Sequence, residues 1–191
     1  MKVVAFNGSA RKDGNTAMLI AKVFAPLQAA GVETEMIQLG TEQIRGCVAC
    51  YQCFENKNKK CNIGEIDMIN YYIEKIIRAD VLIIASPTYF ADVTANMKAF
   101  IERCGMVSRA NNNLFKRKLG AAIVSVRRAG AIQTFETLNN FFLILEMIVV
   151  GSSYWNIGIG RAPGDVLEDQ EGLQTMQALG ENILWLLNKV K

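Results

Sequence analysis

Four of the five cysteines of this 191-residue chain lie close together in the sequence. Their pattern, Cys47-x2-Cys50-x2-Cys53-x7-Cys61, places three thiols on a short loop and a fourth after a span long enough to fold back. Thiolates in such a compact arrangement can hold a [4Fe–4S] cluster, and a zinc site with four cysteine ligands would use the same groups. The spacing therefore predicts a [4Fe–4S] centre, with zinc or free thiols as the alternatives.

Histidine is absent from the sequence. Its absence removes Ser-His-Asp and Cys-His nucleophilic sites and every zinc site that has a histidine ligand. No catalytic side chain is predicted, so chemistry either comes from a cofactor or is missing. The fifth cysteine, Cys104, stands alone on the apolar face of a predicted helix and is predicted to be a packed core residue.

Residues 8–16, Gly-Ser-Ala-Arg-Lys-Asp-Gly-Asn-Thr, lie between a predicted strand and a predicted helix. Backbone N–H groups and the helix dipole favour an anion there, and the serine, asparagine, threonine and arginine add hydrogen bonds and charge. The loop is neither a Walker A sequence nor a dinucleotide fingerprint. We predict that it binds phosphate; a turn that binds nothing is the alternative. Residues 158–164 deviate from the dinucleotide pattern and are interpreted as a plain loop.

Aromatic and cationic residues follow the third and fourth predicted strands. Residues 86–92, Ser-Pro-Thr-Tyr-Phe-Ala-Asp, offer rings and amides suited to a flavin ring. Residues 127–130, Arg-Arg-Ala-Gly, offer cations that stabilise a reduced, anionic flavin. Because ligands of open α/β sheets bind beyond the carboxyl ends of the strands, we expect these loops and the first loop to converge. For Tyr89 and Phe90, ordinary packing at a strand end is the alternative.

Apolar runs and helical periodicities alternate along the chain and predict five strands and five helices. The second strand mixes polar and apolar residues, as expected at a sheet edge, whereas the third is continuously apolar, as expected at the centre. Regular alternation predicts a parallel sheet with helices on both faces. The strands are predicted at residues 3–6, 32–39, 81–85, 119–126 and 154–157. The helices are predicted from Thr16, around residues 69–77, from an N-cap at Thr94 to Gly105, at 131–150 and at 168–190.

Composition predicts one domain, residues 1–191, with a cysteine-rich loop at residues 46–64. The 21 Lys and Arg residues exceed the 18 Asp and Glu residues only slightly, and no long basic run occurs. No nucleic-acid or membrane partner is therefore expected. The apolar stretch at the N-terminus is too short for a signal peptide, and no segment approaches the roughly 20 apolar residues that span a bilayer. A cytoplasmic location, where thiols stay reduced, is expected.

Two motifs, Gly8-Ser9-x-Arg11-x-x-Gly14-Asn15-Thr16 and Ser86-Pro87-x-Tyr89-Phe90, resemble those of the NADPH-dependent FMN reductase family. The resemblance covers nearly the whole chain. With the cysteines added, the sequence is similar to the iron-sulfur flavoprotein branch, whose members bind FMN and a [4Fe–4S] cluster and form dimers or tetramers. The resemblance implies an α/β, flavodoxin-like three-layer sandwich with a five-stranded parallel sheet in the order 2-1-3-4-5.

The resemblance also implies which residues bind FMN. Ser9, Arg11, Asn15 and Thr16 would hold its phosphate, while the loops after the third and fourth strands would surround its ring. The complete predicted set is Ser9, Arg11, Gly14, Asn15, Thr16, Ala17, Pro87, Thr88, Tyr89, Phe90, Arg128 and Gly130. The predicted function is an FMN-dependent oxidoreductase that passes electrons from NAD(P)H or a ferredoxin to a small-molecule or protein acceptor. The alternative is a non-enzymatic binding module with a structural zinc loop.

The helix predicted at residues 131–150 is apolar almost all round from Phe141 onward. One face can pack on the sheet, and the other would leave a large apolar patch exposed on a monomer. This imbalance predicts a homo-oligomer whose contact includes the helix. The family resemblance implies that the oligomer is a homodimer or homotetramer. A helix buried inside the monomer by the closing segment is the alternative.

Overall fold

A parallel sheet organises the computed structural model of this chain, which describes residues 1–63 and 66–190. Its strands run in the order β2-β1-β3-β4, and the short strands β5 and β6 both pair with the outer side of β4. The predicted order 2-1-3-4-5 is confirmed, with a sixth strand added. The bounds are β1 (Lys2–Asn7), β2 (Glu33–Gln38), β3 (Val81–Pro87), β4 (Leu119–Val126), β5 (Ile148–Val149) and β6 (Ile157–Ile159).

Helices cover both faces of the sheet, as the alternation of elements predicts. Helices α1 (Asn15–Ala29) and α6 (Gln170–Lys189) pack together on one face. The other face carries three helices, and a fourth, short helix lies in the cysteine segment. These are α2 (Gln52–Asn56), α3 (Ile69–Arg78), α4 (Ala95–Ala110) and α5 (Ala131–Ile144). Within the described ranges, no helix is both long and apolar enough to cross a membrane.

The burial of the strands follows their sequence patterns. The residues of β4 are all buried, as are those of β3 except Pro87, and both strands lie in the middle of the sheet. By contrast, β2 lies at the edge, and all of its residues are half-buried or exposed. The predicted centre and edge are therefore confirmed, because a strand covered on both faces needs apolar side chains throughout.

The last strand differs from its prediction at residues 154–157. β5 pairs with the start of β4 and β6 with its end, so the fifth position in the sheet is filled by two short pieces. Between them the chain leaves the sheet, and the buried side chain of Asn156 donates to the Ala122 carbonyl at 2.9 Å. This tertiary hydrogen bond, which leaves no local sequence signal, sets where pairing resumes.

The helix predicted at residues 131–150 ends at Ile144. Glu146 adopts a positive φ of 56°, which reverses the chain and buries Leu145 and Met147 in the core. Ile148 and Val149 then form β5. Apolar periodicity does not separate a buried helix from a following apolar strand, which is why the sequence predicts one long helix.

Helix α4 begins as predicted, with the Thr94 side chain accepting a hydrogen bond from the Met97 N–H. It does not end at Gly105 but continues to Ala110. A Cβ at Gly105 would lie 3.6 Å from the Phe141 ring, so the glycine lies at the packing contact with α5. Burial of Cys104 and Val107 stabilises the helix beyond a residue that costs roughly 1 kcal/mol of helix propensity.

Candidate FMN and cysteine sites

The first loop is held in place from both sides. The Gly8 N–H donates to the Ala85 carbonyl of β3 at 2.8 Å, and the buried Asn7 side chain accepts from the Ser9 N–H at 3.0 Å. From β2, the Gln38 side chain donates to the Ser9 carbonyl at 2.5 Å. Strands β2, β1 and β3 thus fix the path of the backbone before α1 begins.

A cavity of about 200 Å³ opens where the loops after β1, β3 and β4 meet. We call it the first-loop cavity. Arg11, Arg127 and Arg161 line it, and the described part of the chain adds no carboxylate to its wall. Such a lining is strongly cationic. The complete lining is Ser9, Arg11, Asn15, Thr16, Pro87, Thr88, Tyr89, Ser125, Val126, Arg127, Gly160 and Arg161.

Five residues of the predicted FMN set do not line this cavity. Gly14 is the N-cap of α1, and Ala17 lies in the first turn of the helix. Phe90 adopts a positive φ in the tight turn between Tyr89 and Asp92, and its side chain is fully exposed. The remaining two are Arg128 and Gly130, which line a neighbouring cavity.

Thr16 contacts a residue that the sequence analysis missed. Its hydroxyl lies 2.8 Å from the Ser125 hydroxyl, and both side chains are buried. Ser125 is a polar residue near the end of the apolar strand β4, and that interruption was the available signal. The pair joins the start of α1 to the carboxyl end of β4.

Residues 158–164, interpreted from the sequence as a plain loop, line the first-loop cavity through Gly160 and Arg161. The Asn15 side chain donates to the Ala162 carbonyl and accepts from the Gly164 N–H, both at 2.9 Å. A Cβ on Gly160 would lie 2.8 Å from the side-chain nitrogen Nδ2 of Asn15, so the close approach of this loop to Asn15 depends on glycine. The loop thereby brings Arg161 to the first-loop cavity, a contact that only the tertiary fold reveals.

The neighbouring cavity, of about 390 Å³, lies between α5 and α6. We call it the aromatic cavity because Tyr154 and Trp155 line it, with ring centroids 4.7 Å apart. Both rings are more than half exposed. Val126 lines both cavities, so the two adjoin at the end of β4.

The four clustered cysteines line one pocket against α4, which we call the cysteine pocket. Cys47 and Cys50 are exposed, Cys61 is half-buried and Cys53 is buried. Burial raises the pKa of the Cys53 thiol, with further contributions from Cys61 and Cys50. Burial therefore favours the neutral thiol over the thiolate, the form that binds metals.

Side chains outside the cysteine segment fix its two ends. Glu102 of α4 accepts from the Cys47 N–H at 3.2 Å. Asn70 of α3 accepts from the Cys61 N–H at 2.8 Å and donates to the Cys61 carbonyl at 3.1 Å. The pocket is therefore built on the helices, although all four thiols come from the loop. Gly64, the last residue of the predicted loop at 46–64, lies outside the described residues.

Both metal alternatives would use the four thiols that line the cysteine pocket. Within residues 1–63 and 66–190, no three Cys, Asp or Glu side chains lie close enough to hold a single metal ion. One zinc ion needs all its sulfur ligands at about 2.3 Å, whereas each thiolate of a [4Fe–4S] cluster binds its own iron and lies further from the others.

Cys104 takes no part in the cysteine pocket. It is completely buried in the core between the sheet and α4, as predicted. Burial raises the pKa of its thiol well above the usual value. Cys104 is therefore a neutral packing residue, and it provides a natural control for substitutions of the other cysteines.

Comparison with known proteins identifies the chain. A family model described as NADPH-dependent FMN reductase matches residues 1–162. This chain belongs to the NADPH-dependent FMN reductase family. An iron-sulfur flavoprotein of Methanocaldococcus jannaschii is 35% identical to this chain over an alignment of 197 residues, which covers 100% of each of the two chains. An iron-sulfur flavoprotein of Methanosarcina thermophila is 30% identical over 193 residues, covering 100% of this chain and 97% of its own.

Solved structures agree on the fold of this family member. The WrbA-like flavodoxin of Agrobacterium tumefaciens superposes with a TM-score of 0.62 at 13% identity, covering 100% of this chain and 98% of its own. The predicted flavodoxin-like fold and family resemblance are confirmed. As an FMN reductase family member, the chain is an oxidoreductase with FMN as its cofactor, and a non-enzymatic module is not supported.

Proposed function

We propose that this family member takes electrons from NAD(P)H or a ferredoxin and passes them through FMN and a [4Fe–4S] cluster to a small-molecule or protein acceptor. The observation that carries the proposal is the convergence of the loops after β1, β3 and β4 on the first-loop cavity. The cysteine pocket supplies a second site on the same chain. The family description supports NAD(P)H as the donor. A ferredoxin is proposed as the alternative donor because the cysteine pocket would hold a one-electron carrier.

The first-loop cavity suits the phosphate of FMN. Arg11, Arg127 and Arg161 provide cationic donors, and the cavity lies at the start of the 15-residue helix α1. The first helical hydrogen bond is donated by Met18, so the preceding amides of α1 have no carbonyl within the helix. Free amides and the helix dipole at this end favour an anion.

The flavin ring would extend from the phosphate towards Val126, where the two cavities adjoin. Thr88 to Tyr89 would contact it from the first-loop cavity, while Arg128 and Gly130 would contact it from the aromatic cavity. Bound FMN supplies the hydride and electron chemistry; the protein supplies position and charge. The role of Phe90 at the ring stays a prediction.

The cysteine pocket would hold the cluster through Cys47, Cys50, Cys53 and Cys61. Val48, Ile63, Met106 and Val107 add apolar groups to the wall, which limit the access of water. Exposed lysines precede Cys61 and add positive charge beside a cluster of negative charge. These are Lys57, Lys59 and Lys60.

An anaerobic visible spectrum of the purified protein tests the function. Flavin bands are expected together with a broad iron-sulfur absorbance, and the flavin bands should bleach when NAD(P)H or reduced ferredoxin is added. Protein that shows no flavin absorbance after incubation with FMN would disprove the proposal. Flavin bands without iron-sulfur absorbance would contradict the proposed cluster but would still support FMN binding.

Two neighbouring arginines make the test specific to the first-loop cavity. Arg127 lines that cavity and Arg128 lines the aromatic cavity, and both are exposed. Arg127→Ala removes one charge-assisted hydrogen bond of roughly 1.5 kcal/mol, so the Kd for FMN should rise about tenfold. Arg128→Ala is the comparison variant: it removes a proposed contact with the ring rather than with the phosphate, so a smaller rise in Kd is expected. A larger effect at Arg128 would place the phosphate in the other cavity.

Oligomerisation belongs to the same proposal. The buried side of α5 includes Leu138, Phe141 and Phe142, but Leu143 and Ile144 are exposed at its end. The closing helix α6 packs on α1 across the sheet and does not cover them. Ile148 and Val149 of β5 are exposed in the same region of the chain. We propose that these four residues form the contact of a homodimer or homotetramer.

Light scattering with bound FMN tests this contact. The unaltered protein should have the mass of a dimer or tetramer at micromolar concentration, and the double variant Leu143→Glu, Ile144→Glu should shift to the monomer, because burying two carboxylates is unfavourable. Trp185→Glu alters a similarly exposed apolar residue on α6 and should retain the oligomer. A monomeric mass for the unaltered protein would contradict the proposal.

A further inference from the structure

Arg103 of α4 is the largest fully buried side chain of the described residues, and it lies at the wall of the cysteine pocket. Its Nε donates to the Cys61 sulfur at 3.3 Å, and its Nη1 donates to the Arg45 carbonyl at 3.1 Å and to the Asp67 carboxylate. Nη2 is buried and has no hydrogen-bond partner within residues 1–63 and 66–190.

An unpartnered guanidinium nitrogen at this depth needs an explanation, because a buried donor without an acceptor costs free energy. The geometry of the guanidinium indicates where the acceptor lies. Nε and Nη2 form one edge of the planar group, with N–H bonds that point in nearly the same direction. Since Nε points at the Cys61 sulfur, Nη2 points to the region beside that sulfur.

The ion pair with Asp67 does not account for this edge. Asp67 interacts with Nη1, on the other side of the guanidinium, and its side chain is almost fully buried. A purely structural pair would be complete with Nη1 alone. The edge formed by Nε and Nη2 faces the Cys61 sulfur instead.

We infer that Arg103 donates from Nη2 to a sulfur of the [4Fe–4S] cluster and thereby favours the reduced cluster. This inference rests on the proposed function, because it requires the cluster at the four cysteines. One-electron reduction adds a negative charge, and a cationic donor stabilises the more negative state more strongly. Hydrogen bonds to the sulfurs are among the factors that set cluster potentials. Arg103 is thus a positioning residue that holds Cys61 and also adjusts the potential.

A redox titration of the anaerobic holoprotein, followed by electron paramagnetic resonance, tests the inference. Arg103→Lys keeps a positive charge beside Asp67 but loses the planar edge. At a fixed potential, the ratio of reduced to oxidised cluster should fall about tenfold, which corresponds to about 59 mV for one electron. Asp67→Asn is the control: it removes a negative charge and keeps Arg103, so the ratio should not fall.

The outcomes separate the inference from the function on which it rests. An unchanged ratio in Arg103→Lys with full iron and sulfide would overturn the inference alone. Unaltered protein with bound FMN but no iron or sulfide would overturn both the inference and the cluster.

A measurement on the unaltered protein covers the case in which Arg103→Lys does not fold or loses its iron. Protein labelled with ¹⁵N at both Nη atoms of its arginines, but not at Nε, should show a ¹⁵N coupling in the pulsed paramagnetic resonance spectrum of the dithionite-reduced cluster, because the known contact of Nε with Cys61 then gives no signal. The coupling supports the hydrogen bond from Arg103, and its absence would overturn the inference.

Discussion

Gly40→Ala is expected to raise the Kd for FMN about 100-fold, through the loss of roughly two charge-assisted hydrogen bonds of about 1.5 kcal/mol each. Gly40 follows β2, and its N–H donates to the Asn7 carbonyl at 3.2 Å. An added Cβ would overlap the carbonyl group of Ser9 and lie 2.5 Å from the Ala10 nitrogen. Because these are backbone atoms, the first loop itself must move away from the phosphate position.

Gly151→Ala is the matched control, because nothing lies within 4 Å of a Cβ at that position. Fluorescence titration of the apoprotein with FMN gives both dissociation constants, and circular dichroism shows whether each variant is folded. A folded Gly40→Ala protein with an unchanged Kd would show that the first loop does not hold the phosphate. A parallel loss in Gly151→Ala would show that the effect is not specific to the loop.

Cys53→Ala is expected to lose most of its iron and inorganic sulfide. Cys53 is the buried member of the four clustered cysteines, so no solvent-exposed group can replace it as a ligand. With one thiolate removed, an iron of the cluster has no protein ligand at that corner. Anaerobic iron and sulfide analysis measures the loss, and FMN content should change little because the first-loop cavity contains none of the cysteines.

Cys104→Ala makes the same substitution at a second buried cysteine. It should retain the iron and sulfide of the unaltered protein and lose about 1 kcal/mol of unfolding free energy through a small cavity. Stoichiometric zinc without sulfide in the unaltered protein would identify a zinc site instead. Full iron in Cys53→Ala would exclude Cys53 from the ligand set.

Much of the sheet was predictable because its signals are local. The continuous apolar run of β3 and the mixed pattern of β2 report directly how many faces of each strand are covered. The first loop between β1 and α1 could be found for the same reason, since an anion site at a helix start is built from adjacent residues. The grouping of four cysteines needed only their spacing.

Other parts depended on residues far apart in the chain. Asn15 determines the position of residues 158–164, and Ser125 pairs with Thr16, across more than one hundred residues in each case. Local apolar periodicity contained no signal for the chain reversal at Glu146, which divides the predicted helix into α5 and β5. The choice of Arg127 rather than Arg128 for the first-loop cavity likewise depends on which way β4 presents each side chain.

The sequence by itself determined the fold class, the position of the first loop between a strand and a helix, and the set of clustered thiols, because each arises from neighbouring residues whose chemistry is visible in their order. Only the tertiary structure decided what surrounds them: the presence of Arg127 and Arg161 in the first-loop cavity and the guanidinium edge beside Cys61. In the sequence, Arg103 is only a charged residue within a helical segment. Its burial, and therefore its importance, comes from the packing of α4 against the cysteine segment.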